Sequence, residues 1–424
     1  IFIFSIINLT FLVLFRSLHI FIQIFVSYLN HKKCIKYIRK LKLDKNNLPS
    51  VGVQISGWRE DPELFEKCLI SIKRQTYGNI KYITFCSDGN ENDDLYLGEI
   101  FKKIFPENSE CIILNKTLKM MNEDERATLF EYSKKFKNIC FLQPHHGKRY
   151  AMYTQMKNLI YNECDYILFI DSDTILEHDS IIKLVKTIKY HNGSAVTGDV
   201  RIWNPDNLLG YLISLKYWFA FNLERSAQSY FGSVSCIAGP FGLYEVKMLD
   251  KITEEWNNQS FMGKECTFGD DRHLTNLILK YGGSTYYTED AICYTDTPIK
   301  ISRFISQQTR WGKSFIREYM LNLSWFSFKK IWLVFDLSFQ VIYSFIIFIL
   351  LINFFLTYDI NVYLYLVSSI FIVSYLRVLY GLLITKEKYY IIFGLYGIIF
   401  FTLLLPLKYW STITVNITNW GTGN

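Results

Sequence analysis

Two pairs of acidic residues have the spacing expected of catalytic or metal-binding groups. Asp171 and Asp173 directly follow an apolar run, residues 166–170, that is typical of a buried strand. Two carboxylates at the end of such a strand can bind a divalent cation whose other ligands are phosphate oxygens, because Mg²⁺ and Mn²⁺ prefer oxygen. Since a DxD pattern also occurs by chance in loops, the alternative is a structural capping role. We predict a metal and nucleotide site here.

The second acidic pair, Asp270 and Asp271, precedes a run with helical spacing of apolar residues (Leu274, Leu277 and Ile278). One of the two could serve only as a helix N-cap. The other is then available as a general base, which a transfer to a hydroxyl group requires. We predict that one carboxylate orients the helix start while the other takes a proton.

A third segment combines amide, basic and aromatic side chains. Gln307, Arg310 and Trp311 share one face of a helix at i, i+3 and i+4. Arg310 could bind a diphosphate bidentately, and Trp311 offers a flat face for a pyranose ring. Taken alone, the segment also fits a tryptophan in a membrane-interface belt beside a snorkelling arginine.

The elements that must position these residues alternate between strand and helix. Buried-strand patterns occur at 51–55, 80–86, 139–142 and 166–170, and helical patterns occur at 62–75 and 148–160. This alternation predicts an α/β domain with a mostly parallel sheet. In such a sheet, ligands bind beyond the carboxyl ends of the strands.

Apolar residues make up 50% of the 424-residue chain and concentrate at 1–29 and 331–412. This distribution predicts an integral membrane protein with a water-exposed central domain. We assign residues 1–30 to a transmembrane helix and 331–412 to transmembrane or re-entrant helices. The aromatic-rich segments 208–231 and 301–330 are typical of helices in the membrane interface, with a buried amphipathic helix as the alternative. The topology of 389–424 stays open.

The basic residues between His31 and Lys42 follow the first apolar run, and we assign 31–50 to a basic linker. By the positive-inside rule this flank and the central domain are cytoplasmic, unless the stretch is merely solvated. Within the first span, Arg16 is expected to face protein, a polar conduit or the interface rather than lipid. Because the chain starts with Ile inside an apolar run, we expect that a preceding membrane segment has been lost.

Composition argues against several other classes of protein. The formal net charge of +7 is modest, and no basic block suggests a nucleic-acid partner. Nine cysteines lie between Cys34 and Cys293 without a CxxC pair. An odd number of unpaired-looking cysteines in a cytoplasmic domain predicts free thiols rather than disulfides or a zinc site.

In order and spacing, the three motifs resemble those of the family 2 processive glycosyltransferases, which include cellulose, chitin and hyaluronan synthases. The finer likeness is to the class I hyaluronan synthases. The segments on which this likeness rests are 56–62 (SGWREDP), 88–90 (DGN), 146–149 (HGKR), 236–240 (CIAGP), 264–276 (KECTFGDDRHLTN), 307–311 (QQTRW) and 420–422 (WGT).

The resemblance implies a GT-A-like transferase domain over 51–300 that uses UDP-GlcNAc and UDP-GlcA with Mg²⁺ or Mn²⁺. It implies a growing polysaccharide product, membrane lipids as surroundings and a monomer at the plasma membrane. The implied roles are as follows: Asp88 near uracil or ribose, Lys148 near the donor, Asp171 on the nucleotide, Asp173 on the metal, Asp271 as base beside Asp270, Arg310 on the diphosphate, and Trp311 under the acceptor sugar. Gln307, Cys266 and Trp420 are further implied substrate-binding residues.

One departure from the family pattern and two alternative functions remain. The Trp-Gly-Thr element at 413–424 is typically followed by a basic residue and a last membrane helix, whereas here Gly423 and Asn424 follow, so we expect truncation. For the donor, a chitin-type synthase that uses only UDP-GlcNAc is the alternative, although such enzymes typically have Glu-Asp where this chain has Asp270 and Asp271. A third possibility is a non-catalytic membrane channel or partner protein on a decayed transferase scaffold.

Overall fold

The computed structural model describes residues 2–203, 205–298, 300–325, 330–357 and 360–417. The strands are β1 Val51–Gly57, β2 Ile80–Ser87, β3 Ser109–Ile113, β4 Asn138–Leu142, β5 Tyr166–Asp171, β6 Ile175–Leu176, β7 Ala195–Ile202, β8 Phe241–Glu245, β9 Ser260–Phe261, β10 Lys264–Glu265 and β11 Thr285–Thr295. The helices are α1 Phe2–Lys33, α2 Pro62–Lys73, α3 Leu95–Ile104, α4 Glu123–Ser133, α5 Lys148–Tyr161, α6 Ser180–His191, α7 Leu208–Phe219, α8 Ser226–Tyr230, α9 Val246–Asn257, α10 Asp270–Lys280, α11 Ile301–Asn322, α12 Ile331–Thr357, α13 Ile360–Thr385, α14 Tyr396–Ile399 and α15 Leu405–Ile413.

The chain divides into two compact units. Of the described residues, the sheet unit comprises Lys33–Trp203, Val234–Asp296 and 416–417, and the helical unit comprises those within 2–32, 205–233 and Thr297–Val415. Residues 204–233 therefore interrupt the segment 51–300 that the sequence assigns to one domain. They group with the apolar helices.

In the sheet unit, nine of the described strands form one sheet in the order β3-β4-β2-β1-β5-β8-β7-β11-β6. The strands from β3 to β5 are parallel, as the sequence predicts. Antiparallel β8 separates β5 from β7, and β7 pairs with β11 in parallel. Strands β1 and β4 are buried along almost their whole length, which explains why they read as continuous apolar runs.

Short-range signals set the helix starts beside this sheet. Asp61 caps α2 by accepting from the backbone N–H groups of Glu63 and Leu64, and Pro62 occupies the first helical turn. Gly147 precedes α5 at φ +107°, and Gly269 precedes α10 at φ +84°. Because L-residues with side chains rarely adopt these angles, glycine fixes where both helices begin.

Among the described residues of the chain, three helices are long and apolar enough to cross a membrane. They are Val13–Ile38, Ile331–Asn353 and Lys388–Ile413. The last of these contains a π-helical turn, Phe400–Leu404, immediately before the helical turn with Pro406. Proline lacks the backbone N–H that would continue a regular α-helix, which accounts for the widened turn.

Helix α7 and the π-helical turn Ala220–Arg225, which follows it, pack inside the helical unit. Their apolar side chains share one core with residues from α13 and from the segment 388–396. The members of this core are Leu212, Leu215, Phe219, Leu223, Val378, Tyr380, Tyr390, Phe393 and Tyr396.

A polar cluster is buried within the helical unit around Asp336 of α12, which has no exposed surface. One carboxylate oxygen lies 2.9 Å from His19 Nε2 and accepts from Gln23 at 3.2 Å. The other accepts from Gln228 at 2.8 Å and from Gln340 at 3.2 Å. Asp336 therefore links α1, α8 and α12, and each hydrogen bond offsets part of the cost of its burial.

Arg16 of α1 extends this cluster. Its Nη1 lies 3.1 Å from His19 Nδ1, and its guanidinium carbon lies 5.3 Å and 5.2 Å from the ring centres of Phe339 and Tyr343. The Nε atom of Arg16 is buried without a hydrogen-bond partner. Arg16 thus contacts protein groups, which is one of the surroundings that the sequence predicts for it.

Candidate active site

The carboxyl ends of four parallel strands lie side by side at one edge of the sheet. Ser56 of β1 pairs with Asp171 of β5, and Gly57 pairs with Ser87 of β2, which in turn pairs with Leu142 of β4. Four of the predicted site residues lie at or just after the ends of these strands: Asp88, Lys148, Asp171 and Asp173. Because β8 runs antiparallel to β5, the segment 236–240 that precedes β8 also reaches this edge.

A group of charged side chains surrounds the turn after β5. Lys148, the first residue of α5, forms an ion pair with Asp171 Oδ1. Glu60, from the loop after β1, accepts a hydrogen bond from Ser172 between the two aspartates. A Cβ at Gly57 would lie 2.5 Å from Ser172 Oγ and 2.9 Å from Glu60 Cγ, so only glycine allows this approach.

Electrostatics indicate that this cluster has an excess of negative charge. The pKa of Asp173 is raised to about 7, mainly by burial and also by the neighbouring carboxylates of Asp171 and Glu60, while Lys148 opposes this shift. Burial also raises the pKa of Glu60. Burial alone would lower the pKa of Lys148, but the adjacent Asp171 raises it, so the net shift is upward and the ammonium form is stabilised.

These residues fit a divalent cation. The cluster offers hard oxygen ligands, and one lysine leaves the group of carboxylates incompletely neutralised. Within the described part of the chain, Asp173 accepts only long hydrogen bonds from hydroxyl groups, at 3.4 Å from both Thr174 and Thr295. Asp173 is thus the carboxylate of the pair that is not already committed to a cationic side chain.

Asp88 is buried at the end of β2, and its carboxylate holds the loop before α5. It accepts backbone hydrogen bonds from His146 at 3.0 Å and Gly147 at 2.8 Å, and His145 Nδ1 lies 2.9 Å from it. The ring of His145 stacks on Trp58 with a centroid distance of 4.4 Å. In this structure Asp88 therefore acts on the loop that leads into Lys148, a contact that the sequence does not reveal.

Asp270 is buried and paired at the start of α10. Arg149 Nε donates to Asp270 Oδ1 at 2.6 Å, and Trp256 Nε1 donates to the Asp270 carbonyl oxygen at 2.9 Å. Arg149 also donates to Gln259 Oε1 at 2.9 Å. Of the two predicted catalytic carboxylates, this one is fixed between α5 and α9.

Asp271 is half-buried, and its surroundings differ from those of Asp270. Its Oδ1 accepts the Arg272 N–H at 2.8 Å, and its Oδ2 accepts the Cys236 thiol at 3.4 Å. A Cβ at Gly239 would lie 3.6 Å from Oδ2, so the 236–240 segment passes directly beside the carboxylate. Among the described residues, Asp271 has no ion pair of the kind that binds Asp270 to Arg149, which suits a group that exchanges a proton.

Cys266 is buried in the sheet unit, and its backbone N–H donates to the Gln259 carbonyl oxygen at 3.1 Å. Gln259 also accepts from Arg149, so Cys266 belongs to the segment that leads into α10. All nine cysteines are free, as predicted.

Gln307, Arg310 and Trp311 lie on α11 of the helical unit. Trp311 is 41% exposed, and its ring centre lies 5.8 Å from Lys216 Nζ and 6.2 Å from the ring of Tyr217. Gln307 and Arg310 are half-buried. A Cβ at Gly312 would lie 2.6 Å from Ser411 Oγ, so this glycine lets α15 pack closely against the helix that presents the motif.

Trp420, with the rest of the Trp-Gly-Thr element, lies outside the described residues. Cys34, Glu289 and Asp290 lie close enough to share a metal ion, but Arg39 contacts both carboxylates at 3.1 Å and 2.8 Å. That arginine already neutralises much of their charge.

Two residues of the site, Glu60 and Arg149, received no role from the sequence. The available signal for Glu60 is its position just after a buried strand, at the edge where ligands bind. For Arg149 the only signal in the sequence is its position beside Lys148 in the HGKR motif. Its buried partner lies more than a hundred residues away and therefore leaves no local pattern.

The fold is GT-A-like, and the family match shows that the chain is a glycosyltransferase. Residues 49–314 match the family described as "Glycosyltransferase like family 2". The chain also resembles the mannosyltransferase PcManGT from Pyrobaculum calidifontis, solved in complex with GDP-Man and Mn²⁺. The TM-score is 0.56 at 13% identity, over 96% of this chain and 99% of that one. At this identity the likeness concerns the fold.

Two relatives narrow the assignment. Hyaluronan synthase 2 of Mus musculus is 35% identical over 421 residues, covering 96% of this chain and 75% of the relative. Hyaluronan synthase 3 of the same species is 35% identical over 420 residues with the same coverage. The chain belongs to the hyaluronan synthases of glycosyltransferase family 2.

Proposed function

We propose that this protein polymerises UDP-GlcNAc and UDP-GlcA into hyaluronan and exports the product through its membrane helices. The observation that carries the proposal is the arrangement of two acidic pairs around α5. Asp171 contacts Lys148, and Asp270 contacts the next residue, Arg149. A metal-type site and a candidate base thus occur together in a member of the hyaluronan synthase family.

For the donor, we assign Asp173 to the metal ion and Asp171 to the nucleotide, with Lys148 beside them. A bound Mg²⁺ or Mn²⁺ would neutralise the charge that develops on the departing UDP. The Mn²⁺ and GDP-Man named for the mannosyltransferase of similar fold support this class of ligand. Asp88 contributes by holding the 145–147 loop, which positions Lys148 and places Trp58 and His145 near the expected nucleotide.

For the transfer, Asp271 is the proposed base. Its carboxylate removes the proton of the attacking acceptor hydroxyl, whose oxygen bonds to the donor C1 as the C1–O bond to the diphosphate breaks. This single displacement inverts the configuration at C1. Asp270 keeps the start of α10 in place through Arg149, and Cys266 belongs to the segment just before it.

For the acceptor, we assign Trp311 to the terminal sugar and Arg310, with Gln307, to the donor diphosphate. Trp311 has a partly exposed ring that can stack on a pyranose. A guanidinium can bind phosphate oxygens in a bidentate manner, as proposed for Arg310. Trp420 is assigned to closure over the nucleotide by resemblance to the family.

For export, the helical unit supplies candidate conduit groups. Arg16 presents a buried Nε without a partner, beside the rings of Phe339 and Tyr343. Aromatic faces and a guanidinium suit a polymer made of sugar rings and carboxylates. We propose a monomer in the plasma membrane with its catalytic domain in the cytoplasm, as the basic flank after α1 suggests. If Arg16→Leu leaves export unchanged, Arg16 has no role in the conduit.

The test is incorporation of radiolabel in membranes that contain the expressed protein, with Mn²⁺ and with each UDP-sugar alone or both together. We expect a high-molecular-weight product only with both donors, and its degradation by hyaluronidase. Product from UDP-GlcNAc alone would instead identify a chitin-type synthase. If no donor combination yields product, while matched membranes with a known hyaluronan synthase do, the catalytic proposal is wrong.

A further inference from the structure

Arg149 connects the two acidic pairs through its position in the chain. It immediately follows Lys148, and the two residues begin α5. Lys148 pairs with Asp171 at the nucleotide site, whereas Arg149 pairs with Asp270 beside the candidate base. One helical turn therefore contacts both halves of the site.

The environment of Arg149 is built around its guanidinium. The side chain is buried, and it donates to Asp270 at 2.6 Å, to Gln259 at 2.9 Å and to the Trp256 carbonyl oxygen at 3.4 Å. Its guanidinium carbon also lies 5.4 Å from the centre of the Trp256 ring. Several directional contacts from one planar group restrict it to a single orientation.

Asp270 is held from a second direction, because Trp256 Nε1 donates to its carbonyl oxygen at 2.9 Å. The preceding residue, Gly269, has φ +84° and lets the chain turn sharply into α10. Asp271 follows Asp270 directly, so the position of the proposed base depends on the pair of Arg149 and Asp270. Arg149 itself does not lie among the contacts found for the Asp271 carboxylate.

We propose that Arg149 is a positioning residue that sets the place of Asp271 relative to the donor site, acting through Asp270. This inference rests on the proposed role of Asp271 as base. It assigns to Arg149 an effect on the rate of transfer rather than on the binding of nucleotide. A misplacement of about 1 Å in a reacting group can lower the rate by about 100-fold.

The experiment is a double-mutant cycle of Arg149→Met, Asp270→Asn and the double variant, in detergent-solubilised full-length chain. Rates of UDP release are measured at saturating UDP-GlcNAc and UDP-GlcA, with KM for each donor and UDP affinity by calorimetry. We expect each single variant to lower kcat by about 10- to 100-fold with little change in KM or UDP affinity. The double variant should lose no more than the worse single variant, because both changes break the same contact.

The cycle also separates positioning from folding. Arg149→Met leaves Asp270 buried without its cation, which can destabilise the fold, whereas the double variant removes that unpaired charge. Thermal midpoints and gel-filtration profiles are recorded for all variants. Arg126→Met is the matched control, because Arg126 is a half-buried arginine that donates to the carbonyl oxygens of Leu118 and Lys119 outside the site. Its kcat should stay at the wild-type level.

The other outcomes of these measurements separate a failure of the Arg149 proposal from a failure of the proposed function. Losses that multiply in the double variant, or a rise in KM with unchanged kcat, overturn the proposal for Arg149. A wild-type protein that transfers no sugar from either donor overturns the proposed function instead. Rescue of kcat in Arg149→Lys above the level of Arg149→Met supports the requirement for a cation at this position.

Discussion

The two acidic pairs of the sheet unit use the same residue type in opposite surroundings. Near Asp171 and Asp173, the carboxylate of Glu60 adds further negative charge, and Lys148 provides the opposing positive charge. Around Asp270 and Asp271, one carboxylate has its own arginine and the other is half-buried beside a thiol. An excess of negative charge suits a cation, whereas an isolated carboxylate suits proton transfer. The same residue type at similar spacing can thus have unlike surroundings, and it is on these surroundings that the two proposed roles are based.

The largest expected effect comes from Asp271→Asn, which removes the proposed base but keeps the shape of the side chain. We expect kcat to fall by about 1,000-fold, within the range typical of general bases. Affinity for UDP with Mn²⁺ should be retained, because the metal-type cluster is untouched. UDP-release kinetics and calorimetry measure the two quantities. Asp250→Asn, an exposed change on α9, is the control. A variant that loses nucleotide affinity in parallel with kcat would remove the contrast between the pairs.

Asp173→Asn should affect the binding of the metal ion. We expect a large loss of Mn²⁺ affinity, by about 100-fold, since the carboxylate that lacks a cationic partner is replaced by an amide. Electron paramagnetic resonance of free Mn²⁺ gives the affinity without dependence on activity. Asp93→Asn changes an exposed aspartate elsewhere and should bind Mn²⁺ normally. Unchanged Mn²⁺ affinity in Asp173→Asn would exclude this residue as a ligand.

Glu60→Gln tests whether the additional carboxylate belongs to the metal cluster. Because Glu60 contacts Ser172 between the two aspartates, we expect a decrease in Mn²⁺ affinity of about 10-fold, as is typical for groups behind the ligands. Its matched control is Glu63→Gln, whose side chain is 86% exposed. Equal Mn²⁺ affinities in the two variants would restrict the cluster to Asp171 and Asp173.

The smallest effect is expected for Gly147→Ala, which acts on both pairs through the start of α5. At φ +107° an alanine is strained, and we expect a loss of about 1–2 kcal/mol in the free energy of unfolding. Thermal unfolding in detergent provides the comparison. Gly78→Ala is the control, since a Cβ there would meet only Leu48, at an ordinary 3.6 Å. If both variants unfold at the same temperature, the positive φ of Gly147 does not constrain the loop.

Local patterns predicted the sheet edge well. The predicted strands 51–55, 80–86, 139–142 and 166–170 all lie within β1, β2, β4 and β5, and the helices α2 and α5 were also predicted. Buried parallel strands leave continuous apolar runs, and the acidic residues after them are visible in the sequence. The α/β class and the family were therefore accessible before any coordinates.

The contacts between distant residues of the site could not be predicted from local patterns. The contact of Arg149 with Asp270 spans 121 residues, and the contact of Asp88 with the 145–147 loop depends on the register of neighbouring strands. Neither contact has a periodic signal. Antiparallel β8 was also missed, because strand direction is decided by pairing rather than by composition. Asp336 stands inside an apolar run, where a lone charge could have marked a buried polar cluster.

The hydrogen bonds of Asp336 have a consequence for biogenesis. His19 and Gln23 are synthesised with the first helix, but their partner follows 317 and 313 residues later. At a translation rate of about 5–20 residues per second, roughly 15–60 s pass before Asp336 is made. During that interval the first helix carries polar groups whose final partner does not yet exist. The helical unit can therefore reach its native arrangement only after the sheet-unit segments Lys33–Trp203 and Val234–Asp296 have been translated.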